Sequence, residues 1–562
     1  MPPASYLAPS SGTASARGVG ARDALHTRLG AVSSSRPIRS GFSKRGARCP
    51  PGSRGSRAFG HGTTVSARGS GGTDDSDSDS DSARPPPLRI AVVGAGPCGL
   101  TTALALRHHG FDDVTVYDKF PEIKPALGAA FNLNGGAAVL DKLGCLEMFR
   151  EHNNPMRVVR TRRVGNDALG QLELMNINIP DLIDGDDAAR TGLVSPTDGD
   201  ALCGTVMRCD LLRALGKAVP AESLMLGPEF EVVGVDTAVD PNTEAPVSTL
   251  RFANGTRSRP FDLVVGCDGI NSRVRASMFG SYASKNSGIR IVFGCTGDGV
   301  VAEANEDARP ESEHGEIHQW FGDGCYALVY TAGGFGSGAK QHNVAVCIAD
   351  DADLDENVEW RRSDGSVTAG DTNTTLAARA DASTDDAVGN DNENDDARRN
   401  ARARSAALSA LRTYEMPASV TTVAKNCDRF FDVGVRYHDP LDEWSDPLGV
   451  LVLAGDACHA MPPFLGQGAN QALQDAWVLA EQLAAMRGGG KNTGEEKKAA
   501  LRRYESIRKP PTTAIMLSSR VIGFVETGSG LVSNVRDAAF GVLGKLGIAG
   551  KIFLKNAVPV LK

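Results

Sequence analysis

Leu88–Asp118 reads LRIAVVGAGPCGLTTALALRHHGFDDVTVYD, and it leaves the chain few folds to choose from. The apolar run Ile90–Val93 predicts a buried strand that runs into Gly94-x-Gly96-x-x-Gly99. A helix follows to His109, Gly110 stops it, and a second run, Val114–Tyr117, ends at Asp118. This is a βαβ unit, the context that a lone glycine triplet lacks. Gly94 permits a tight turn, Gly96 lets a pyrophosphate reach the backbone at the helix N-terminus, and Gly99 lets helix pack on strand. Gly94, Gly96, Pro97 and Gly99 are therefore candidate cofactor contacts. Asp118, about 20 residues further on, can accept hydrogen bonds from a ribose and would repel a 2′-phosphate. Taken alone, the unit predicts a Rossmann-type α/β domain for NAD or FAD.

Two later segments end apolar strands in the same manner. Val450–Leu479 reads VLVLAGDACHAMPPFLGQGANQALQDAWVL. Its strand stops at Gly455-Asp456. A Pro-Pro turn and Gly466-Gln467-Gly468 follow, then a helix with Leu473, Ala476, Leu479 and Leu483 at helical spacing. That helix start offers unpaired N–H groups and a positive dipole end, suited to a ring that becomes anionic on reduction. Asp262–Arg275, DLVVGCDGINSRVR, ends its strand at Asp268-Gly269, with Arg273 and Arg275 placed for a local ion pair. Between the first and third of these units, Val206–Leu215 (VMRCDLLRAL) predicts a helix opened by Arg208.

The order of glycine triplet, Arg-led helix, DG and GD resembles the FAD-dependent aromatic hydroxylases, the class A flavin monooxygenases. The likeness spans roughly Leu88 to Leu517. HAMPPFLGQGANQALQDA is most similar to the branch of salicylate-hydroxylase-like enzymes and zeaxanthin epoxidase, and ALRRYESIRK (Ala500–Lys509) fits the family's C-terminal helix. The resemblance implies an FAD domain of the GR2-like type with an inserted antiparallel sheet that roofs the substrate. It implies NAD(P)H as a transient co-substrate, and O2 activated as a flavin C4a-hydroperoxide that hydroxylates or epoxidises a small aromatic or isoprenoid substrate. It assigns FAD contacts to Arg208, Asp268 and Gly269, the ribityl chain to Gly455 and Asp456, a rigid wall to Pro462-Pro463, the reduced ring to Gly466, Gln467 and Gly468, and the pyrimidine edge to Asn470. No catalytic base can be named. His459 and Pro463 lie beside the flavin motif, and His459 reads as packing or a backbone hydrogen bond. His318, Tyr326 and Tyr330 fall in expected roof strands and read as structural. Phe464 stands where many members carry a polar residue, and Gly128–Leu133 lacks a frequent arginine. Both leave the substrate open. An isoprenoid reductase of the geranylgeranyl type and a flavoprotein without turnover are the alternatives.

Composition sets the outer limits. The chain carries a net charge of −8, yet residues 1–73 hold eleven Lys/Arg against one acid, leaving −18 on the remainder. An acidic body makes nucleic acid an unsuitable partner. The basic, Ser- and Gly-rich leader reads as a transit peptide for a plastid, with the mitochondrion as second choice. Eleven cysteines without a C-x-x-C pair predict a reducing compartment and neither a disulfide framework nor a metal site. Cys98 and Cys458 read as small apolar fillers.

The domain plan follows: leader 1–73, acidic and Pro-rich linker 74–87, FAD domain 88–165, substrate-domain segment 166–200, FAD domain 201–280, substrate sheet 281–444, FAD domain 445–490, C-terminal helices 491–562. Strands are expected at Ile289–Phe293, Glu316–Phe321, Cys325–Tyr330, Asn343–Ile348 and Ser419–Val423. Fifteen acids against three arginines between Asp350 and Asp396 predict a disordered insert at about 355–404. Ala538–Lys562 has four lysines and no acid, with Phe540, Leu543, Leu546, Ile552 and Phe553 apolar. It is read as a helix packed on the flavin domain or as a tail making weak peripheral membrane contact.

Overall fold

Ile90–Val93 is the middle strand of a five-stranded parallel sheet, in the order Leu451–Leu453, Leu263–Gly266, Ile90–Val93, Val114–Asp118, Leu224–Leu226. The three motif-bearing strands are thus adjacent, and all end at the same edge. In such a sheet ligands bind outside the carboxyl ends of the strands. The strands read as apolar runs because both faces are covered: Ile90, Ala91, Val92, Val264, Val265, Val452 and Leu453 are fully buried. Helix Pro97–His108 packs on this sheet, and Gly468–Arg487 packs on that helix. The computed structural model describes residues 88–123, 130–165, 172–183, 192–196, 199–281, 283–296, 315–333, 341–349, 391–487 and 494–562. The leader, the linker and most of the acidic insert lie outside them.

A second sheet has seven strands: Arg429–Tyr437, Lys285–Cys295, Gln341–Ala349, Cys325–Ala332, Glu316–Phe321, Val158–Arg163 and Glu173–Asn178. It contains the four strands expected between residues 289 and 348. Val158–Arg163 belongs here, pairing in parallel with Glu316–Phe321, although the sequence had placed it in the first FAD segment. Register defines the two faces. Phe430, Val344 and Val329 point one way with Val292, Ala327 and Val346, and are buried beneath two helices. Phe431, Phe293, Ala345 and Leu328 form one row of the other face, and Val433, Ile291, Cys347 and Tyr326 form the next.

The two covering helices correct the sequence reading. Asp391–Thr413 is a 23-residue helix, so the expected disorder does not extend to residue 404. Ala403, Ala407, Ala410 and Leu411, at i, i+4, i+7 and i+8, bury its apolar stripe despite the charge around them. Ser419–Val423 is helical within Ala418–Asn426. Its β-branched residues suggested a strand, but Val420, Val423 and Ala424 recur at helical spacing and pack inward.

Helices Gly494–Glu526, Leu531–Lys545 and Ile548–Ala557 close the chain. Of the apolar residues noted in the tail, Phe540, Leu543 and Phe553 pack inward, whereas Leu546 and Ile552 are exposed. Among the described residues no single helix is long and apolar enough to cross a membrane.

Candidate active site

The glycine triplet does three different jobs. Gly94 has φ +103°, and a Cβ there would lie 2.5 Å from the Cys267 carbonyl oxygen. A Cβ on Gly99 would lie 1.8 Å from the Gly94 carbonyl oxygen, so helix and turn touch through it. A Cβ on Gly96 would meet nothing within 4 Å. The turn is therefore closed on the protein side and open at Gly96, where the helix starts with Pro97. Asp118 accepts from the Ala95 amide at 2.7 Å and the Phe120 amide at 3.1 Å, which fixes its half-buried carboxylate beside the open ground.

Asp268 does not pair with an arginine side chain. It accepts from Ser272 Oγ (2.6 Å) and from the backbone N–H groups of Arg273 (2.6 Å) and Val274 (3.2 Å), holding the start of helix Arg273–Phe279. Burial raises its pKa, and these donors partly offset that. Gly269 follows with φ +78°. The Arg275 guanidinium is buried and donates to the carbonyls of Ala457 (2.7 Å) and Ile270 (2.5 Å), tying the DG turn to the GD turn. Arg208 opens helix Arg208–Ala218, as expected, and is half-buried.

Gly455 (φ +62°) brings the GD turn against the first helix, since a Cβ there would lie 2.9 Å from Cys98 Sγ. Asp456 starts a short helix and is exposed at this junction, next to the pyrophosphate turn. Cys98 and Cys458 are buried. The Cys98 thiol is pushed up by Cys267 and by burial, that of Cys458 by burial.

Behind the turn lies a group that sequence reading missed. The His459 imidazole Nε2 is 2.5 Å from Asp475 Oδ2, which also accepts from the Gly455 amide at 2.9 Å. Asp475 Oδ1 accepts from Arg508 Nε at 2.8 Å, and all three side chains are fully buried. Burial alone would raise the Asp475 pKa. His459 and Arg508 outweigh it and hold the carboxylate below its usual range. Arg508 further donates to Gln474 Oε1, Val560 O, Gln471 O and Gln471 Oε1, so all five of its N–H groups are used. The His459 side chain thus bonds a carboxylate rather than backbone, and is fully buried. Cys458, His459 and Asp475 bring three possible metal ligands within 4.8 Å, but a guanidinium on the same carboxylate excludes a cation.

Asn470 also differs from expectation. Its Oδ1 accepts from the amides of Asn134 (2.8 Å) and Gly136 (2.9 Å), and its Nδ2 donates to Asn132 O (2.8 Å) and Gly466 O (3.0 Å). The amide has used its full capacity, so it anchors the loop at 132–136 instead of a flavin edge. Gln467 is buried against the same loop. Gly466 takes the left-handed conformation, and Gly468, opening its helix, faces open space. Pro462 is buried and accepts a hydrogen bond from Ser519, which leaves Pro463 exposed as a wall.

The inner face of the roof sheet meets this wall at both ends. Tyr330 reaches the backbone of Ala130 on the FAD side. Tyr326 packs edge-on against Phe464, ring centroids 6.4 Å apart. Between these clamps Leu328, Phe293 and Phe431 are half-buried and Val433 is 44% exposed, so the apolar face is partly uncovered there. His318 lies on the opposite face, with Arg162 2.8 Å and Glu316 3.0 Å away. The Tyr326 hydroxyl is buried beside Glu526 and Cys347. Glu526, the last residue of the long helix, is 7% exposed, and its Oε2 has no hydrogen-bond partner. Burial raises its carboxyl to about 8, although Tyr326 and Arg536 oppose the shift. The sequence held one clue, a lone acid in the otherwise acid-free run Ser506–Arg536.

Closed glycines around open ground at Gly96 and Gly468 fit FAD, and the adjoining sheet defines a flavin-dependent oxidoreductase. The chain belongs to the family of the FAD binding domain, whose model matches residues 88–308 and 376–519. It is an FAD-dependent monooxygenase. It is similar to the 3-amino-4-hydroxybenzoate 2-monooxygenase of Streptomyces cremeus, 28% identical over 77% of this chain and 86% of the relative. It is 25% identical to the 3-hydroxybenzoate 6-hydroxylase of Klebsiella oxytoca, over 80% and 91% of the two chains. Its fold matches Klebsiella pneumoniae HpxO, crystallised with FAD and uric acid, at a TM-score of 0.60 and 18% identity, covering 84% and 97%.

Proposed function

We propose that this enzyme uses NAD(P)H and O2 to hydroxylate a small, uncharged, electron-rich aromatic ring, with Glu526 taking the proton of a ring hydroxyl through Tyr326. One oxygen atom enters the ring, the other leaves as water, and the nicotinamide supplies the two electrons. FAD, when bound, supplies the hydride acceptor and the oxygen-activating centre. The glycine cradle positions it, Pro463 and Phe464 wall it, and the roof sheet keeps water from the reacting space.

The observation that carries the reading is the partly uncovered apolar face over Phe464 with a buried carboxyl at its edge. A general base must lie within hydrogen-bond reach, directly or through one relay, of the proton it takes. The rows Phe431–Phe293–Ala345–Leu328 and Val433–Ile291–Cys347–Tyr326 carry no cation to meet a benzoate carboxylate, and Arg429, in the row that ends at Tyr330, donates to the Thr296 carbonyl at 3.2 Å. This supports an uncharged phenol, and keeps an isoprenoid alkene as the second substrate class. Oxygen uptake by the FAD-loaded enzyme with NADH or NADPH and matched phenols, benzoates and prenyl alkenes tests it. Stoichiometric hydroxylated phenol is expected, and coupled turnover of the benzoates alone refutes the assignment.

The composition of residues 1–73 supports delivery to a plastid. A fluorescent protein fused behind residues 1–87 should collect there, and cytosolic fluorescence would overturn that reading.

A further inference from the structure

We infer that the enzyme rests on an anionic lipid surface through an apolar face built by the second half of helix Gly494–Glu526 and by helix Leu531–Lys545. This holds whether or not the hydroxylase reading of the site stands. Among the described residues fourteen large apolar side chains are exposed, and eight fall between Leu517 and Ile552. Such concentration is unlike the scattered exposure normal on soluble proteins.

The pattern is that of two outward stripes. On the first helix Leu517, Val521 and Phe524 recur at i, i+4 and i+7, with Phe524 67% exposed. Its opposite face, through Ile515, Met516, Ser519 and Gly523, is buried. On the second helix Leu531, Val535, Val542 and Leu546 lie along one side, 55–79% exposed, while Ser533, Arg536, Asp537 and Phe540 face inward. The two helices meet at 115°, a bend suited to lying in an interface rather than spanning it.

Charge selects the occupant. From Thr513 to Lys562 the acids are Glu526 and Asp537, both buried, whereas Lys545, Lys551 and Lys555 are exposed at one end of the stripe. Asp323, at the other end, is taken up in capping the second helix through Gly530 N and Ser533 Oγ. A second copy meeting through residues 513–562 would set lysine against lysine, because this segment carries no exposed acid. Anionic headgroups beside acyl chains complement both the lysines and the apolar stripe. The placement also has a use. Gly523 packs on the Phe464 ring (a Cβ there would sit 2.2 Å away), and its neighbour Phe524 points outward. One helix therefore separates the active-site wall from the lipid-facing surface, giving an uncharged substrate a short route from membrane to site.

The test is photo-crosslinking of the full-length, FAD-loaded enzyme to vesicles of phosphatidylcholine and phosphatidylglycerol whose acyl chains carry a diazirine, with crosslinked peptides mapped by mass spectrometry. This readout separates the stripe from the basic leader, which can also bind anionic vesicles. Crosslinks in 514–546 are expected, falling at least tenfold in Val521→Asp/Phe524→Asp/Val535→Asp with FAD content unchanged. Crosslinks confined to residues 1–87, none at all, or equal labelling of the variant overturns the proposal. So does a vesicle-free dimer that the same substitutions dissociate.

Discussion

Replacing Glu526 by Gln isolates the buried carboxyl from its shape. Glu526 titrates at about 8 in the folded protein against 4.5 for an exposed glutamate. Because the folded pKa is raised, the protonated carboxyl favours the folded state below about 4.5, and this contribution disappears as pH rises through about 8. Between pH 6 and pH 9 the linkage amounts to about 2.5–3 kcal/mol of lost stability. Glu526→Gln cannot ionise, so urea unfolding should show that much less pH dependence in the variant than in the wild type. The same titration controls chemistry. Coupled hydroxylation of a phenol should rise with pH in the wild type, with a midpoint near 8. In Glu526→Gln it should fall by roughly 10²–10⁴-fold and lose that limb, while NAD(P)H oxidation continues. Equal pH slopes of stability refute the buried-carboxyl assignment. An unchanged coupling profile refutes its role as proton acceptor.

Arg508→Leu should leave Asp475 buried without its cation, costing about 3–5 kcal/mol and loosening the GD turn, measurable as lower melting temperature and weaker FAD binding. Gly96→Ala should fold normally yet lose FAD affinity, because its Cβ would point into open ground; Gly99→Ala should fail to fold, given the 1.8 Å approach to Gly94. Fluorescence titration and circular dichroism separate the two outcomes. Asp456→Ala should purify with little FAD, and retention at unchanged affinity refutes its ribityl contact. Deleting Asp364–Asn390 should leave melting temperature and FAD content nearly unchanged, since added loop length carries a small entropy.

What could be read in the sequence was local. The glycine triplet, Asp118, DG and GD act on neighbours within a turn or at one sheet edge, so residue type and spacing already carry their roles. What could not be read depends on partners far along the chain. Asn470 belongs to a loop more than 300 residues earlier, and Tyr326 and Glu526 meet from separate domains of the sequence. Side-chain type is ambiguous in both cases: an asparagine after GQG suits a flavin edge as well as a backbone loop, and a lone glutamate in an apolar helix resembles a solvated one. The helix at Asp391–Thr413 was obscured for another reason. Its stripe consists mainly of alanines, which carry little hydrophobic signal beside fifteen acids and become legible once a sheet covers them.

Arg508 gives the enzyme an order of assembly. Its guanidinium joins Asp475, which holds the GD turn, to the carbonyl of Val560, and the Val560 amide in turn donates to Gln474. The first strand of the flavin sheet begins at Ile90, so the cofactor site waits on residues more than 400 positions later, Arg508 and Val560. During synthesis the nucleotide cradle can fold as soon as its strands emerge, but the turn bearing Asp456 stays unbraced until Arg508 and Val560 have been made. Bracing of the turn that bears Asp456 therefore comes late in synthesis, after the cradle that it completes.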